Sequence, residues 1–342
     1  EQDYPCRFLN QVETNRYLFR VLYFENRVHL EVFHALTDGT GAMRFLKALC
    51  YQYIKLAHAA DFTPQQQETP HGVEHAANTE DAYLKNYIPA KAATFKEPDA
   101  YRIHGDLRML DSVGVLTAMV PVAPLKAVCR AQNASITEYL TAALAFGIYR
   151  EFMGASGAKK PINMFIPVDL RRMFPSETGL NFFSNITIAL PLSGAAFTFD
   201  DVLAMVKAEF AQKLTKERLA QKLAFTARSE TSMITRVVPL PIKNGIIRII
   251  YEHSNHGTTM PFSNLGTVQT DELFARYFDS FRFLLYAAPH DPIKCSAVSY
   301  NDTLALTFTS LLEDWRLAKH VVRTLTQAGI SVEIESNTDE AE

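Results

Sequence analysis

Two short stretches near the start alternate apolar and polar residues with a period of two. Residues 17–24 (YLFRVLYF) and 27–33 (RVHLEVF) predict two strands, and Glu25 and Asn26 between them predict a tight hairpin. Alternation puts Val28, Leu30 and Val32 on one face, and His34 continues that face, which predicts a histidine on the buried-facing side of its strand. Residues 41–57 then change to helical spacing, and Asp38 and Thr40 are both candidate N-caps. Residues 60–110 are irregular: DFTPQQQETPHG reads as loop, followed by a short helix near 79–87.

Beyond a lobe boundary placed at 105–112, the pattern becomes regular. A strand is predicted over 113–122 and a helix from Pro124. A second helix follows over 136–152, with Ser135 and Glu138 spaced as a capping box. Strands follow at 162–168 and 183–191. Helix is predicted over 199–217, with more helix to about 252, then strands at 281–288, 293–300 and 303–310. Helix 313–328 and a short strand, ISVEI, end the series. Hairpins, crossover helices and a terminal meander together indicate a mixed α/β (α+β) fold with helices covering sheets. The chain divides into an amino-terminal lobe, 1–110, and a carboxy-terminal lobe, 111–342.

Composition adds mostly exclusions. The 342 residues are 48% hydrophobic and 21% charged, with a formal net charge of −3, which gives no reason to expect a nucleic-acid partner. No apolar run approaches the ~18 residues of a membrane helix, and no signal peptide is visible. Cys6, Cys50, Cys129 and Cys295 are far apart and form no CxxC pair, as in a cytoplasmic protein with reduced thiols. The Asn-x-Ser/Thr triplets at Asn133, Asn185 and Asn301 carry little weight for the same reason. There is no GxGxxG after a strand and no GxxxxGK[ST], so neither dinucleotide nor P-loop chemistry is indicated.

The chemistry concentrates between strand and helix, in FHALTDGTG at 33–41. A histidine at a strand end has a fixed direction, and an imidazole, with an ordinary pKa near ~6.5, can accept a proton at neutral pH. A buried aspartate needs a partner, for which arginine fits best. Gly39 and Gly41 allow a sharp turn or a close approach. Each residue also has a plain structural use: core histidine, helix cap, turn glycines. A second pattern, HGVEH at 71–75, has the HxxEH spacing of some zinc peptidases, but Pro70 and Gly72 and the Pro/Gln-rich flanks spoil the helix such a site needs. No metal site is assigned.

His34-Ala35-Leu36-Thr37-Asp38-Gly39 is an HxxxDG motif, and its strand-to-helix context resembles the chloramphenicol acetyltransferase-like superfamily. That superfamily includes condensation domains, alcohol O-acetyltransferases and wax ester synthases. Three further stretches carry the resemblance in order: SITEYLTAALAFGIYRE at 135–151, IPVDLRRMFPSETGLNFFSN at 166–185, and PFSNLGTV at 261–268. Together they extend it over about 20–310. The doubled histidine of many condensation domains is absent, since Phe33 precedes His34.

The resemblance implies two lobes, each a mixed sheet covered by helices, with the active site in a tunnel between them. It implies an O-acyltransferase moving an acyl group, acetyl in the first instance, from CoA to an alcohol. His34 would be the general base, with Asp38 and Gly39 shaping its loop and Arg171 or Arg172 pairing with Asp38. Asn185, Ser263 and Asn264 are the candidates for contacting the oxyanion or substrate. Acyl-CoA is a substrate, and no permanently bound cofactor is implied. A site between a chain's own lobes does not require an oligomer. Carrier-protein thioesters in place of CoA, and a non-catalytic binding role on the same fold, are the alternatives. Family members carry a longer stretch before the motif than the 33 residues found here, so either the chain is trimmed or the corresponding part sits elsewhere.

Overall fold

The structure, a computed structural model, describes residues 5, 9–10, 12–72, 78–88, 98–109, 112–154, 159–193, 196–231, 238–245 and 255–338. Strands β1 (Phe19–Phe24) and β2 (Arg27–Val32) form the predicted antiparallel hairpin, with Phe24 opposite Arg27. Glu25 takes φ +48, the left-handed conformation that a two-residue hairpin turn requires at its first central position. Helix α1 (Gly39–Ala57) follows, capped by Asp38 and not by Thr40.

Helix α2 (Pro64–Glu68) lies within the stretch read as loop. Thr63 and Gln66 close a reciprocal capping box around Pro64 at the first position, which suffices for one turn despite the glutamine-rich composition. Helix α3 (Ala82–Lys85) is shorter than the predicted 79–87, because Asp81 caps it from within that span.

The remaining strands form one seven-stranded sheet. They are β3 (Gly114–Pro121), β4 (Ile162–Asp169), β5 (Phe183–Leu190), β6 (Met260–Thr267), β7 (Ile293–Tyr300), β8 (Thr303–Ser310) and β9 (Glu333–Ser336), ordered β5-β4-β6-β7-β8-β3-β9. The pairs β4–β6 and β6–β7 are parallel and the rest antiparallel, so the sheet is mixed. Helices α4 (Val122–Ala131), α5 (Ile136–Ile148), α6 (Phe199–Lys213), α7 (Lys216–Thr231) and α8 (Arg316–Gln327) accompany it. Ser135 and Glu138 form the predicted box at the start of α5. Leu140, Leu144 and Ile148 of α5 are fully buried, each worth about 1.5–3 kcal/mol of transfer free energy.

Three expectations need correction. The predicted helix over 199–217 breaks after Lys213, because Thr215 accepts from Arg218 N (3.2 Å) and starts a new helix. Of its continuation toward 252, parts lie outside the described residues. The strand expected over 281–288 does not form. There the carbonyl of Phe283 accepts from the Ser296 hydroxyl and that of Leu285 from Thr309 Oγ1 (2.7 Å), so side chains of β7 and β8 replace a ladder partner. The last strand lies a few residues later than ISVEI, with Ile330 buried ahead of it. Cys50, Cys129 and Cys295 are buried free thiols, and Cys6 lies outside the described residues. Among the described residues no helix is long and apolar enough to cross a membrane.

Candidate active site

The loop from His34 to Gly39 joins the hairpin to α1, and its buried side is tightly wired. Asp38 is 6% exposed, and both of its carboxylate oxygens are engaged. Oδ1 accepts from Gly41 N at 3.0 Å, which caps the helix. Oδ2 accepts from Phe182 N at 2.8 Å and from Arg171 Nη1 at 2.9 Å. Arg171 in turn donates from Nη1 to Asp169 (3.0 Å), from Nε and Nη2 to Thr178 O (3.1 and 3.0 Å), and from Nη2 to Leu180 O (2.5 Å). Such a pair in low dielectric is stable only when its remaining donors are matched, and here they are.

The 176–180 loop that supplies those carbonyls is itself fastened from 78–80. The Glu80 carboxylate accepts from Ser176 Oγ (2.6 Å) and Glu177 N (3.2 Å), Thr178 Oγ1 donates to Glu80 O (2.9 Å), and Gly179 N donates to Asn78 O (2.6 Å). Hydrogen bonds from Lys85 and then Ser176 pull the Glu80 carboxyl down from 4.5 to about 2. Thr37 Oγ1 reaches Gly179 O (2.5 Å) from the other side, and Arg44 donates to Glu177 O and Thr178 O (2.9 and 3.2 Å). Burial, and then the neighbouring Arg171, lower the pKa of Arg44.

His34 stands on the opposite side of the same loop. Strand β2 ends at Val32 and the chain turns over 34–36, so the alternation that predicted a buried histidine stops before it. His34 is exposed instead, its ring 5.2 Å from that of Phe183. Its backbone carbonyl accepts from Asn181 Nδ2 at 2.9 Å. Gly39 packs close to β6: a Cβ there would lie 2.6 Å from Leu265 Cδ2, so the leucine side chain would have to shift to admit it.

His34, Asp38, Gly39, Arg172, Asn185, Ser263 and Asn264 all line one cleft of about 4110 Å³. This exceeds the ≈ 300–1,000 Å³ of a single-ligand pocket, which leaves room for two substrates together. Asp38 pairs with Arg171, and Arg172 makes no ion pair with it. Asn185 accepts from Lys222 Nζ at 3.0 Å through its side chain. Asn264 donates to Thr137 Oγ1 (3.1 Å) and accepts from Gly266 N (2.9 Å), so it closes the bulge in β6. Ser263 is 8% exposed, and its hydroxyl has no hydrogen-bond partner among the described residues.

Sequence reading missed Asn181 and Glu80. Asn181 belongs to the LNFFSN run, but nothing in its local spacing shows that its amide meets His34 across the fold. Glu80 lies in the predicted 79–87 helix, where nothing local points to the 176–180 loop. Of the HxxEH pattern, His71 meets Asp271 at 3.2 Å, whereas Glu74 and His75 lie outside the described residues. Among the described residues no group of three metal-ligating side chains comes together.

No family model matches the chain, and neither does any curated protein. Solved structures do match. A trichothecene 15-O-acetyltransferase from Fusarium sporotrichioides aligns with a TM-score of 0.50 at 12% identity, over 88% of this chain and 64% of that one. Polyketide synthase associated protein 5 from Mycobacterium tuberculosis aligns at 0.49 and 13%, over 90% and 74%. The epimerization domain from the third module of tyrocidine synthetase B aligns at 0.48 and 11%, over 88% and 67%. The chain spans 60% of a condensation domain from the enacyloxin polyketide synthase and 63% of one from the CDA synthetase, less than two thirds of either. At such identities a likeness speaks to fold alone. The chain shares its mixed α/β fold with the trichothecene 15-O-acetyltransferase.

Proposed function

We propose that the chain transfers an acyl group, acetyl in the first instance, from CoA to an alcohol, with His34 as the general base. One observation carries this reading: the HxxxDG loop is held from behind by Asp38 and Arg171, while His34 faces a cleft with room for two substrates. Both Asp38 oxygens are turned to Gly41 N, Phe182 N and Arg171, and none of its contacts among the described residues is with His34. It acts by holding the loop.

In this scheme a ring nitrogen of His34 takes the proton of the acceptor hydroxyl as its oxygen attacks the thioester carbonyl. The carbonyl π electrons move to oxygen, giving a tetrahedral oxyanion. The Ser263 hydroxyl is the nearest fit for a donor to it, because the Asn264 amide is already engaged. Collapse re-forms the carbonyl and breaks the carbon–sulfur bond. The thiolate leaves and takes the proton back from the imidazolium, so histidine is regenerated and no acyl-enzyme is needed.

The test is free-thiol release from acetyl-CoA across a panel of alcohols and amines, repeated with an acetylated phosphopantetheinyl carrier protein as donor. Alcohol-dependent release from acetyl-CoA supports the proposal. Release only from the carrier protein replaces CoA as the donor. Tight CoA binding with no release for any acceptor points to a binding protein on the same fold and overturns the enzymatic reading.

A further inference from the structure

Two adjacent arginines leave β4 in opposite situations. Arg171 lies behind the loop, its side chain 6% exposed and every donor group engaged. Arg172 turns the other way, into the cleft, and has no ion pair or hydrogen bond among the described residues. Arg172 is solvent-exposed, and it borders a cleft whose walls include Phe165, Met173, Phe183 and Phe225.

Its position is also specific. The guanidinium packs over the bare backbone of Gly266, where a Cβ would lie 2.8 Å from Arg172 Nη2 and where φ is +81. The next residue back, Leu265, is the one against Gly39 at the start of α1. With consecutive Cα atoms 3.8 Å apart, this puts the Arg172 head group on the order of 10 Å from the start of the helix that follows the His34 loop. A planar, permanently charged fork bordering the same cleft as His34 matches a carboxylate.

We infer that Arg172 selects acceptors that carry a negatively charged group, a carboxylate separated from the reacting hydroxyl by a short apolar spacer. The inference rests on the proposed role of His34 for the direction in which the acceptor lies. The donor's phosphates are a poor alternative, because the pantetheine arm separates them from the thioester that must sit at His34.

The experiment compares ω-hydroxyhexanoate with its methyl ester in wild type, Arg172→Gln and Arg172→Lys. Acetyl-CoA is the donor, and a calorimetric titration of each acceptor is run without donor. The expected result is a wild-type preference for the acid. That preference falls about ten- to a hundredfold in Arg172→Gln, the range of a charge-assisted pair, and is largely retained in Arg172→Lys.

An unchanged ratio, an equal loss for both acceptors, or a rise only in the KM for acetyl-CoA overturns the inference. If wild type turns over neither acceptor, the titration decides alone. Preferential binding of the acid that disappears in Arg172→Gln upholds the inference even though the acyltransferase reading has failed, and equal binding of acid and ester overturns it.

Discussion

Asp38 and His34 are four residues apart on one loop, and their surroundings are opposite. Asp38 is buried, accepts three hydrogen bonds and is paired with an arginine that holds two backbone carbonyls and a second aspartate. His34 is exposed and touches little besides the Phe183 ring and, through its backbone, Asn181. The contrast separates two tasks that the short motif presents together. The rear of the loop supplies rigidity, and the front leaves the imidazole exposed, as the proposed role of His34 requires. A functional group held by a locked surrounding shell is the arrangement that preserves geometry without restraining the reacting atoms.

The largest expected effect comes from Asp38→Ala. It leaves the buried Arg171 with Asp169 as its remaining carboxylate and strips Gly41 N and Phe182 N of their acceptor, which together cost about 3–5 kcal/mol, so thermal unfolding should shift down markedly and turnover should vanish. His34→Ala is the matching control on the other side. Removing an exposed side chain should change stability by no more than about 0.5 kcal/mol. A comparable loss of stability in both variants would erase the distinction between front and rear.

Arg171→Lys comes next. It keeps a charge near Asp38 but loses the fork that reaches Thr178 O and Leu180 O. Losing hydrogen bonds from a charged donor should cost about 1.5–3 kcal/mol in a denaturant titration. Asn181→Ala should cost less, about 1 kcal/mol, and yet lower kcat by on the order of tenfold, because a small displacement of the base is enough to slow the reaction. A rate equal to wild type would show that His34 keeps its position without that amide.

The smallest effect concerns pH. The Glu80 carboxyl is held below its ordinary 4.5, at about 2, by Lys85 and Ser176. Its folded-state pKa is depressed, so its contribution is present above 4.5 and fades as the pH falls toward about 2. Urea midpoints measured across that window should fall less steeply in Glu80→Gln than in wild type. Parallel curves would mean that the 176–180 loop is not held through this carboxylate.

Much of this was legible before any coordinates. The hairpin, the α5 capping box of Ser135 and Glu138, and the β7–β8 meander follow from period, caps and turns, which are local properties. Thr63, Pro64 and Gln66 also carried a helix start, overlooked because the surrounding composition looked like loop. What could not be read were the non-local agreements. Nothing near Asn181 indicates His34, and two adjacent arginines look identical until β4 sends one behind the loop and the other into the cleft. His34 is exposed where alternation predicts burial for a related reason: alternation holds only while the strand lasts, and β2 stops at Val32.

The most direct test of the account is thiol release from acetyl-CoA by wild type and His34→Ala, with an accepted alcohol and with the thermal unfolding midpoint measured on the same samples. The account predicts that alcohol-dependent release falls by about 10²–10⁴, the usual contribution of a general base, while the midpoint stays within the small range of a surface substitution. Release that persists in a folded His34→Ala protein would contradict it.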